Sequence, residues 1–266
     1  MNETVLQVLK EKDRRANQQS RMWVMTNTGE RRIVLFHYSP TRETVVAEYM
    51  LDDFNGALMT DGYVVYDKVA EIKSLSHLGC WAHARRYFKE ASAVQPKGVS
   101  GKPEQALAYI QKLFRIEENI KTVTDVEKYE RRQSESLPIL ATIKDWLDKS
   151  LKHTVQSGRL KKALTYLNNQ WSKLIRYTEN GAWPIDNNLA ENCVRPLVIG
   201  RKNWLFAATA DGAKASANLY SLAETAKANG IEPSAYFEAI FTLLPQAKTV
   251  EDIEALLPWN VNMVVG

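Results

Sequence analysis

Short β-type segments are confined to the amino-terminal third of the chain, and this constrains the fold more than any other sequence feature. The runs with the β-branched or apolar composition of strands are 4–9, 21–26, 31–38, 56–60 and 77–81. A Gly-containing turn at 27–30 predicts a hairpin. Helices are expected over 43–54 and 82–93. This order predicts an α/β fold with one mixed sheet and flanking helices.

Between residues 95 and 183 the strand signal disappears, and apolar side chains recur at three-to-four spacing in successive stripes. Pro96 and Gly98 mark the start of this region, and Gly181 and Pro184 mark its end. We predict a large all-helical insertion. The expected parts are 1–94 as the first part of the core, 95–183 as the insertion, 184–230 as the last core helices, and 231–266 as a helical tail.

The composition excludes a disordered tail or a fibre, because 45% of the 266 residues are hydrophobic and 25% are charged. No apolar run approaches the roughly 18–20 residues of a membrane span, and the amino terminus lacks a signal-peptide pattern. We interpret Cys80 and Cys193 as thiols in a reducing compartment. We therefore expect a cytoplasmic protein with no membrane partner. The net charge of +4 allows nucleic acid as a partner but does not establish it.

Asp61 is the first candidate for a functional carboxylate. It follows a short apolar strand and directly precedes Gly62. This position predicts a carboxylate at the carboxyl edge of the sheet, where open α/β sheets place their sites. An Asp-Gly pair after a strand is also common as a plain turn, so Asp61 needs a second carboxylate to support a functional interpretation.

Glu191 is the second candidate, near the start of a helix capped by Asp186 or Asn187. Asn187, Glu191 and Arg195 are spaced by four residues and share one helix face. One interpretation is a Glu–Arg helix pair, worth about 0.2–0.5 kcal/mol. The other is a magnesium site, because the polar edge of Asn187, Asn188 and Glu191 suits a hard ion that takes one or two carboxylates.

Cys80 and His83 have the C-x-x-H spacing that can begin a zinc site. The remaining cysteine and histidines do not form a second close pair, as such a site requires. We therefore expect a packed or locally hydrogen-bonded corner where a strand meets a helix.

Two short basic clusters carry side chains suited to nucleic acid. One contains Arg85 and Arg86, and the other contains Arg201 and Lys202 followed by Trp204. Cations beside aromatic groups suit phosphates and unstacked bases. Short basic clusters are more often solvated surface, but two of them flanking an acidic site favour DNA.

Four strings of the sequence closely resemble transposases of the insertion sequence 66 family: LMTDGYVVYD, HLGCWAHARRYF, WPIDNNLAENCVRPLVIGRKNWLF and EDIEALLPWN. The resemblance spans nearly the whole chain. It implies a ribonuclease H-like core, whose element order the predicted strands and helices follow. It also implies an Asp-Asp-Glu triad that holds two divalent ions, Mg²⁺ or Mn²⁺, for DNA cleavage and strand transfer. Asp61 matches the second acid and Glu191 the third, while Cys80 and His83 match a Cys-x-x-His signature of the family.

The position of the first acid is altered. In the family this acid directly precedes Glu-Thr at the head of a strand, and the matching residue here is Asn2. An amide supplies no negative charge where a carboxylate would help to hold two dications. Two functions therefore stay open: a metal-dependent DNA strand transferase, and a catalytically inactive DNA-binding or interaction remnant of one. The strand order disfavours an unrelated helical binding module.

The resemblance also implies partners and surroundings. These are transposon ends and target DNA, bound by a homo-oligomer in the bacterial cytoplasm near the nucleoid. The residues expected to contact DNA are Arg85, Arg86, Arg195, Arg201 and Lys202, and those expected to support the site are Cys80, His83, Asn187 and Asn188. The amino-terminal regions of longer members are not matched, so we expect the chain to correspond to the carboxyl-terminal part of a transposase.

Overall fold

The computed structural model of the protein describes residues 1–95, 101–153 and 157–261. Its elements, in chain order, are β1 Asn2–Lys10, β2 Gln19–Thr26, β3 Val34–Ser39, α1 Thr44–Met50, β4 Ala57–Thr60, α2 Val64–Ile72, β5 Ser76–Gly79, α3 Trp81–Ser92, α4 Lys102–Asn119, α5 Asp125–Arg131, a π-helical turn Arg132–Ser136, α6 Leu137–Lys152, α7 Arg159–Leu174, a 3-10 turn Arg176–Glu179, α8 Asn188–Trp204, β6 Ala207–Thr209, α9 Ala210–Ala228, α10 Pro233–Leu243, a 3-10 turn Leu244–Gln246 and α11 Val250–Glu254. None of the helices in the described ranges is long and apolar enough to cross a membrane.

The chain divides into two compact units. The first unit comprises Met1–Met50 and Leu189–Gly266, and the second comprises Leu51–Asn188. The first unit is built on a four-stranded sheet in the order β3-β2-β1-β6. β2 pairs antiparallel with both β1 and β3, whereas β6 pairs parallel with β1. Apolar side chains of α8 and α9 pack on the buried residues of these strands, including Val24 and Phe36.

Helix α9 also covers the outer edge of β3. Its Ser221, Thr225 and Asn229 follow one another at four-residue spacing and therefore share a face. Ser221 Oγ accepts the N–H of Phe36 (2.7 Å), and Thr225 Oγ1 accepts the N–H of Val34 (3.0 Å). Asn229 Nδ2 donates to a backbone carbonyl just before the strand (2.7 Å). These bonds close an edge that would otherwise present unpaired backbone groups.

The second unit combines a small parallel sheet with a helical bundle. β4 and β5 pair in parallel and are connected by α2. Helices α3, α4, α6 and α7 bury their apolar stripes in one shared cluster, which includes Trp81, Phe88, Leu113, Leu147 and Leu167. Because α3 supplies part of this cluster, the helices after residue 101 do not have a core of their own.

The mixed α/β class is confirmed, and so is the helical character of the described residues from 101 to 183. The mixed sheet is also confirmed, because β1 pairs antiparallel with β2 and parallel with β6. The described strands differ from the expectation in forming two hydrogen-bonded sheets, one of four strands and one of two. The second edge of β1 is occupied by β6, which pairs at Val8 and Lys10. Neither β6 nor α2 is expected from the sequence. The markers Pro96 and Gly98 lie outside the described residues, and the predicted four-part division stays a prediction.

Candidate functional site

Asp61 lies directly after β4, in the turn that leads into α2. Its Oδ1 accepts a hydrogen bond from the backbone N–H of Tyr63 (3.0 Å), which orients the carboxylate relative to the start of the helix. The hydroxyl of Tyr166 on α7 donates to the carbonyl oxygen of Asp61 (3.0 Å). Burial raises the pKa of Tyr166, so this hydroxyl stays protonated and remains a donor. Both the side chain and the backbone of Asp61 are therefore held in place.

Gly62 allows a close approach that no other residue would permit. Its φ is +88°, in the region that favours glycine. A Cβ atom at this position would lie only 2.8 Å from the Cδ atom of Gln170 on α7. The carboxamide of Gln170 thus packs directly on the turn that carries Asp61.

A buried polar chain lies beside the same turn. The N–H of Gly62 donates to Thr60 Oγ1 (3.3 Å), which lies 2.8 Å from His77 Nε2. His77 Nδ1 lies 3.1 Å from Asp67 Oδ1, and Lys173 Nζ donates to the same oxygen (2.6 Å). Burial, together with the charge of Lys173, lowers the pKa of His77 to about 4, so the ring is neutral at pH 7. Since a carboxylate only accepts, Nδ1 carries the proton and Nε2 accepts from the Thr60 hydroxyl.

Cys80 occupies the position beside Asp61 on the neighbouring strand. Thr60 pairs with Gly79, so Asp61 and Cys80 are the first residues beyond the ends of two parallel strands, which run about 4.8 Å apart. The thiol sulfur of Cys80 accepts the backbone N–H of Asn187 (3.2 Å). This bond brings the segment before α8 to the same edge of the small sheet.

His83 and Asp186 add two titratable groups to this corner. His83 is buried in the first turn of α3, and its interaction with Asp186 favours the ionised form of that carboxyl group and so lowers its pKa. Burial raises the pKa of Asp186, and a hydrogen bond from the backbone N–H of Asn188 (3.0 Å) opposes that rise. From the sequence, Asp186 is expected only as a helix cap. Its place directly before two asparagines is the one sequence signal that could have marked it as part of a polar edge.

Asn2 is the first residue of β1, in the first unit, and its Oδ1 accepts the N–H of Glu3 (2.8 Å). The side chain of Glu3 is only 2% exposed and is bound by the guanidinium group of Arg42, with Nε at 2.5 Å. Sequence reasoning misses this ion pair, because neither residue stands out in the pattern of the strand. The carboxylate next to Asn2 is therefore already neutralised by an arginine.

Glu191 lies in the first turn of α8, whose buried side chains include Ala190 and Val194. Glu191 and Asn2 belong to the first unit, whereas Asp61 belongs to the second. The convergence of these three side chains stays a prediction.

The five predicted DNA-contacting cations differ in their surroundings. Arg86, Arg195 and Lys202 are exposed, and within the described ranges they form no hydrogen bond or ion pair. Arg85 donates to a glutamine of α4 (3.1 Å), and Arg201 donates to a threonine hydroxyl (3.3 Å) and a carbonyl of β1. The first three are therefore better placed to contact phosphates.

Comparison with known proteins identifies the family. Residues 1–215 match the model of the transposase IS66 family, and residues 221–259 match the IS66 C-terminal element. The chain belongs to the IS66 transposase family. The uncharacterized proteins y4qI and y4jD of Sinorhizobium fredii (strain NBRC 101917 / NGR234) are each 29% identical to this IS66 chain, over 86% and 84% of its length. The chain spans 43% and 44% of the length of these two relatives. No solved structure matches it.

The predicted donors of this IS66 chain fit a hard divalent ion. Asp61 and Glu191 offer carboxylate oxygens and Asn2 an amide oxygen, the ligand type that Mg²⁺ prefers. Asp61 Oδ2 accepts no hydrogen bond within the described residues. Cys80 and His83 carry a thiol and an imidazole, the side-chain types that bind zinc.

Proposed function

We propose that this chain is the catalytic part of an IS66 transposase, with a ribonuclease H-like Asp-Asp-Glu core that cleaves transposon DNA and transfers the strand. The observation that carries the proposal is the placement of Asp61. Its carboxylate stands at the carboxyl edge of a parallel strand pair, in a turn held by Tyr63 and Tyr166, and it lies inside the family match over residues 1–215. A carboxylate at that edge suits metal-dependent chemistry.

The residues have separate roles in this proposal. Asp61 and Glu191 would hold Mg²⁺ or Mn²⁺, and Asn2 stands where the first acid belongs. When bound, a pair of such ions stabilises both the attacking and the leaving oxygen at the phosphorus atom. Tyr166 positions Asp61 through its backbone carbonyl (3.0 Å). The exposed cations neutralise phosphates of the transposon ends and the target, which a homo-oligomer brings together.

Asn2 favours a second candidate function, a catalytically inactive DNA-binding protein. An amide keeps the shape of a carboxylate but not its charge, so an ion held by Asn2 and Asp61 should bind more weakly at cellular Mg²⁺ concentrations. The nearest carboxylate in β1, that of Glu3, is already paired with Arg42. We therefore expect the chain to be a poor nuclease.

Metal-dependent nicking of supercoiled plasmid distinguishes the two functions. The unaltered chain, Asn2→Asp, and Asn2→Asp combined with Glu191→Gln are compared across a titration of Mg²⁺ and Mn²⁺. We expect weak nicking by the unaltered chain, a gain with Asn2→Asp, and loss with Glu191→Gln. Robust nicking by the unaltered chain that Glu191→Gln abolishes would show that Asn2 does not disable the site. DNA binding without nicking in any variant supports the inactive protein, and no DNA binding contradicts both functions.

A further inference from the structure

A cavity of about 450 Å³ opens between α3 and α7 in the second unit. Its lining includes Tyr87, Lys161, Lys162, Tyr166, Asn169 and Gln170, and no carboxylate lines it among the described residues. Cationic, aromatic and carboxamide groups together are what a nucleotide requires, because it carries a phosphate, a flat base and hydrogen-bonding base edges.

Two of the lining residues also contact the turn that carries Asp61. Tyr166 donates its hydroxyl to the Asp61 carbonyl (3.0 Å), and the Gln170 carboxamide packs on Gly62. A molecule in the cavity therefore lies directly beside Asp61.

The cations of the cavity stand at an electrostatically unfavourable place. Lys161 and Lys162 lie in the first turn of α7, at the positive end of the helix dipole, and this turn contains no acidic residue. Arg86 adds a further cation whose charge acts on Tyr166. An anion in the cavity would offset this concentration of positive charge.

Two further features of the residues that line the cavity suit a base. The ring centroids of Tyr87 and Tyr166 are 4.6 Å apart, and Lys162 Nζ lies 5.3 Å from the centroid of the Tyr87 ring. Gln170 is only 8% exposed, and its Oε1 accepts no hydrogen bond from the described residues. Gln170 nevertheless lines the cavity, and a carboxamide is a side-chain type that pairs with the hydrogen-bonding edge of a base.

We propose that the α3–α7 cavity binds one nucleotide of a DNA strand beside Asp61. Lys161 and Lys162 contact its phosphate, the Tyr87 ring packs on its base, and the carboxamide of Gln170 forms a hydrogen bond with the base. This inference rests on the proposed function, because it assigns the cavity to the same DNA that reaches Asp61.

Lysine acetylation footprinting tests the cavity directly and does not require activity. The full chain is acetylated with and without a single-stranded oligonucleotide of about 15 nucleotides, within the range that such sites occupy. Anisotropy of the labelled oligonucleotide establishes that it binds. We expect bound DNA to reduce acetylation of Lys161 and Lys162 several-fold and to leave Lys149 and Lys152, two exposed lysines of α6, unchanged.

Paired variants give an independent measurement. Lys161→Gln combined with Lys162→Gln should weaken oligonucleotide binding several-fold and lower the slope of log affinity against log salt by about 0.7, the value for the one phosphate contact that the two lysines share. Lys149→Gln combined with Lys152→Gln is the matched control and should change neither. Tyr87→Leu should weaken binding without changing the salt slope, because it removes stacking and no charge.

The outcomes separate the two proposals. DNA binding that leaves Lys161 and Lys162 unprotected, or equal effects of the two lysine pairs, overturns the nucleotide cavity and leaves the proposed DNA function intact. The absence of any DNA binding overturns both.

Discussion

At the scale of single residues, Thr60 connects the Asp61 turn to the buried chain beside it. Replacing Thr60 with Val keeps the shape but leaves the Gly62 N–H and His77 Nε2 without their partner. We expect a loss of about 1–3 kcal/mol in the free energy of unfolding, because His77 is buried and its Nε2 would be left without a donor. Thr60→Ser keeps the hydroxyl and is the control. Urea unfolding measures both, and an equal loss in the two variants would contradict the role of the hydroxyl.

His77 makes stability depend on pH in a defined direction. Its pKa is about 4 in the folded protein, against 6.5 for an unperturbed histidine. Between these values the unfolded chain binds more protons, so the contribution of His77 is fully present above pH 6.5 and is lost as the pH falls toward 4. We expect the urea midpoint to drop from pH 7 to pH 5, and His77→Gln to reduce that drop. An unchanged drop in the variant would assign the pH dependence to other groups.

Gly62 is a third residue with a measurable role. Gly62→Ala places a Cβ 2.8 Å from Gln170 at a positive φ, so steric repulsion and backbone strain add. We expect a destabilisation of about 1–3 kcal/mol, the usual cost of such backbone strain. Gly62→Ala combined with Gln170→Ala should recover the steric part only. If the double variant loses at least as much free energy of unfolding as the two single variants lose together, the contact between Gly62 and Gln170 is not the cause.

At the scale of elements, Arg132 ties the π-helical turn to the end of the bundle. The side chain is only 3% exposed and donates to Glu117 (2.9 and 2.6 Å) and to the carbonyls of Tyr177 (2.8 Å) and Asn180 (2.7 Å). Arg132→Met leaves the carboxylate of Glu117, itself 15% exposed, without its partner. We expect a loss of about 3–5 kcal/mol in the free energy of unfolding, as for other broken buried ion pairs.

The neighbouring Arg131 provides the control for this prediction. It pairs with Glu135 on the surface, where both side chains are more than a third exposed, and such pairs contribute little. Arg131→Met should therefore change the urea midpoint far less than Arg132→Met. Similar shifts in the two variants would mean that the buried network does not hold this turn.

At the scale of the whole molecule, the net charge of +4 is less informative than which cations are exposed. We expect DNA affinity to fall steeply between about 50 and 200 mM salt, because each phosphate contact to duplex DNA adds about 0.9 to the salt slope. The triple change of Arg86, Arg195 and Lys202 to Gln should lower both affinity and slope. Arg85→Gln and Arg201→Gln should mainly lower stability, since those guanidinium groups bind protein atoms. Filter binding at several salt concentrations checks this, and an unchanged slope in the triple variant would contradict it.

Local patterns in the sequence were sufficient to predict which segments around Asp61 form strands and which form helices. The strand before Asp61, the helix after Cys80 and the helices from 101 onward are observed, because apolar spacing and glycine-containing turns act over a few residues. The family match over residues 1–215 includes the strings around Asp61, Cys80 and Glu191. The sequence does not predict helix α2, because the nine residues Val64–Ile72 are also compatible with a loop that connects two strands.

Only the tertiary structure decided which segments meet. Lys173 binds Asp67 from 106 positions away, and Thr225 binds the backbone of Val34 from 191 positions away. The pairing of β6 with β1 depends on contacts of the same kind. A hydrogen bond depends on the distance and angle between two groups, and the periodicity of a single segment carries no information about a distant partner. The sequence by itself therefore determined the candidate acids and most of the elements, apart from β6 and α2, while the fold determined what holds Asp61 in place.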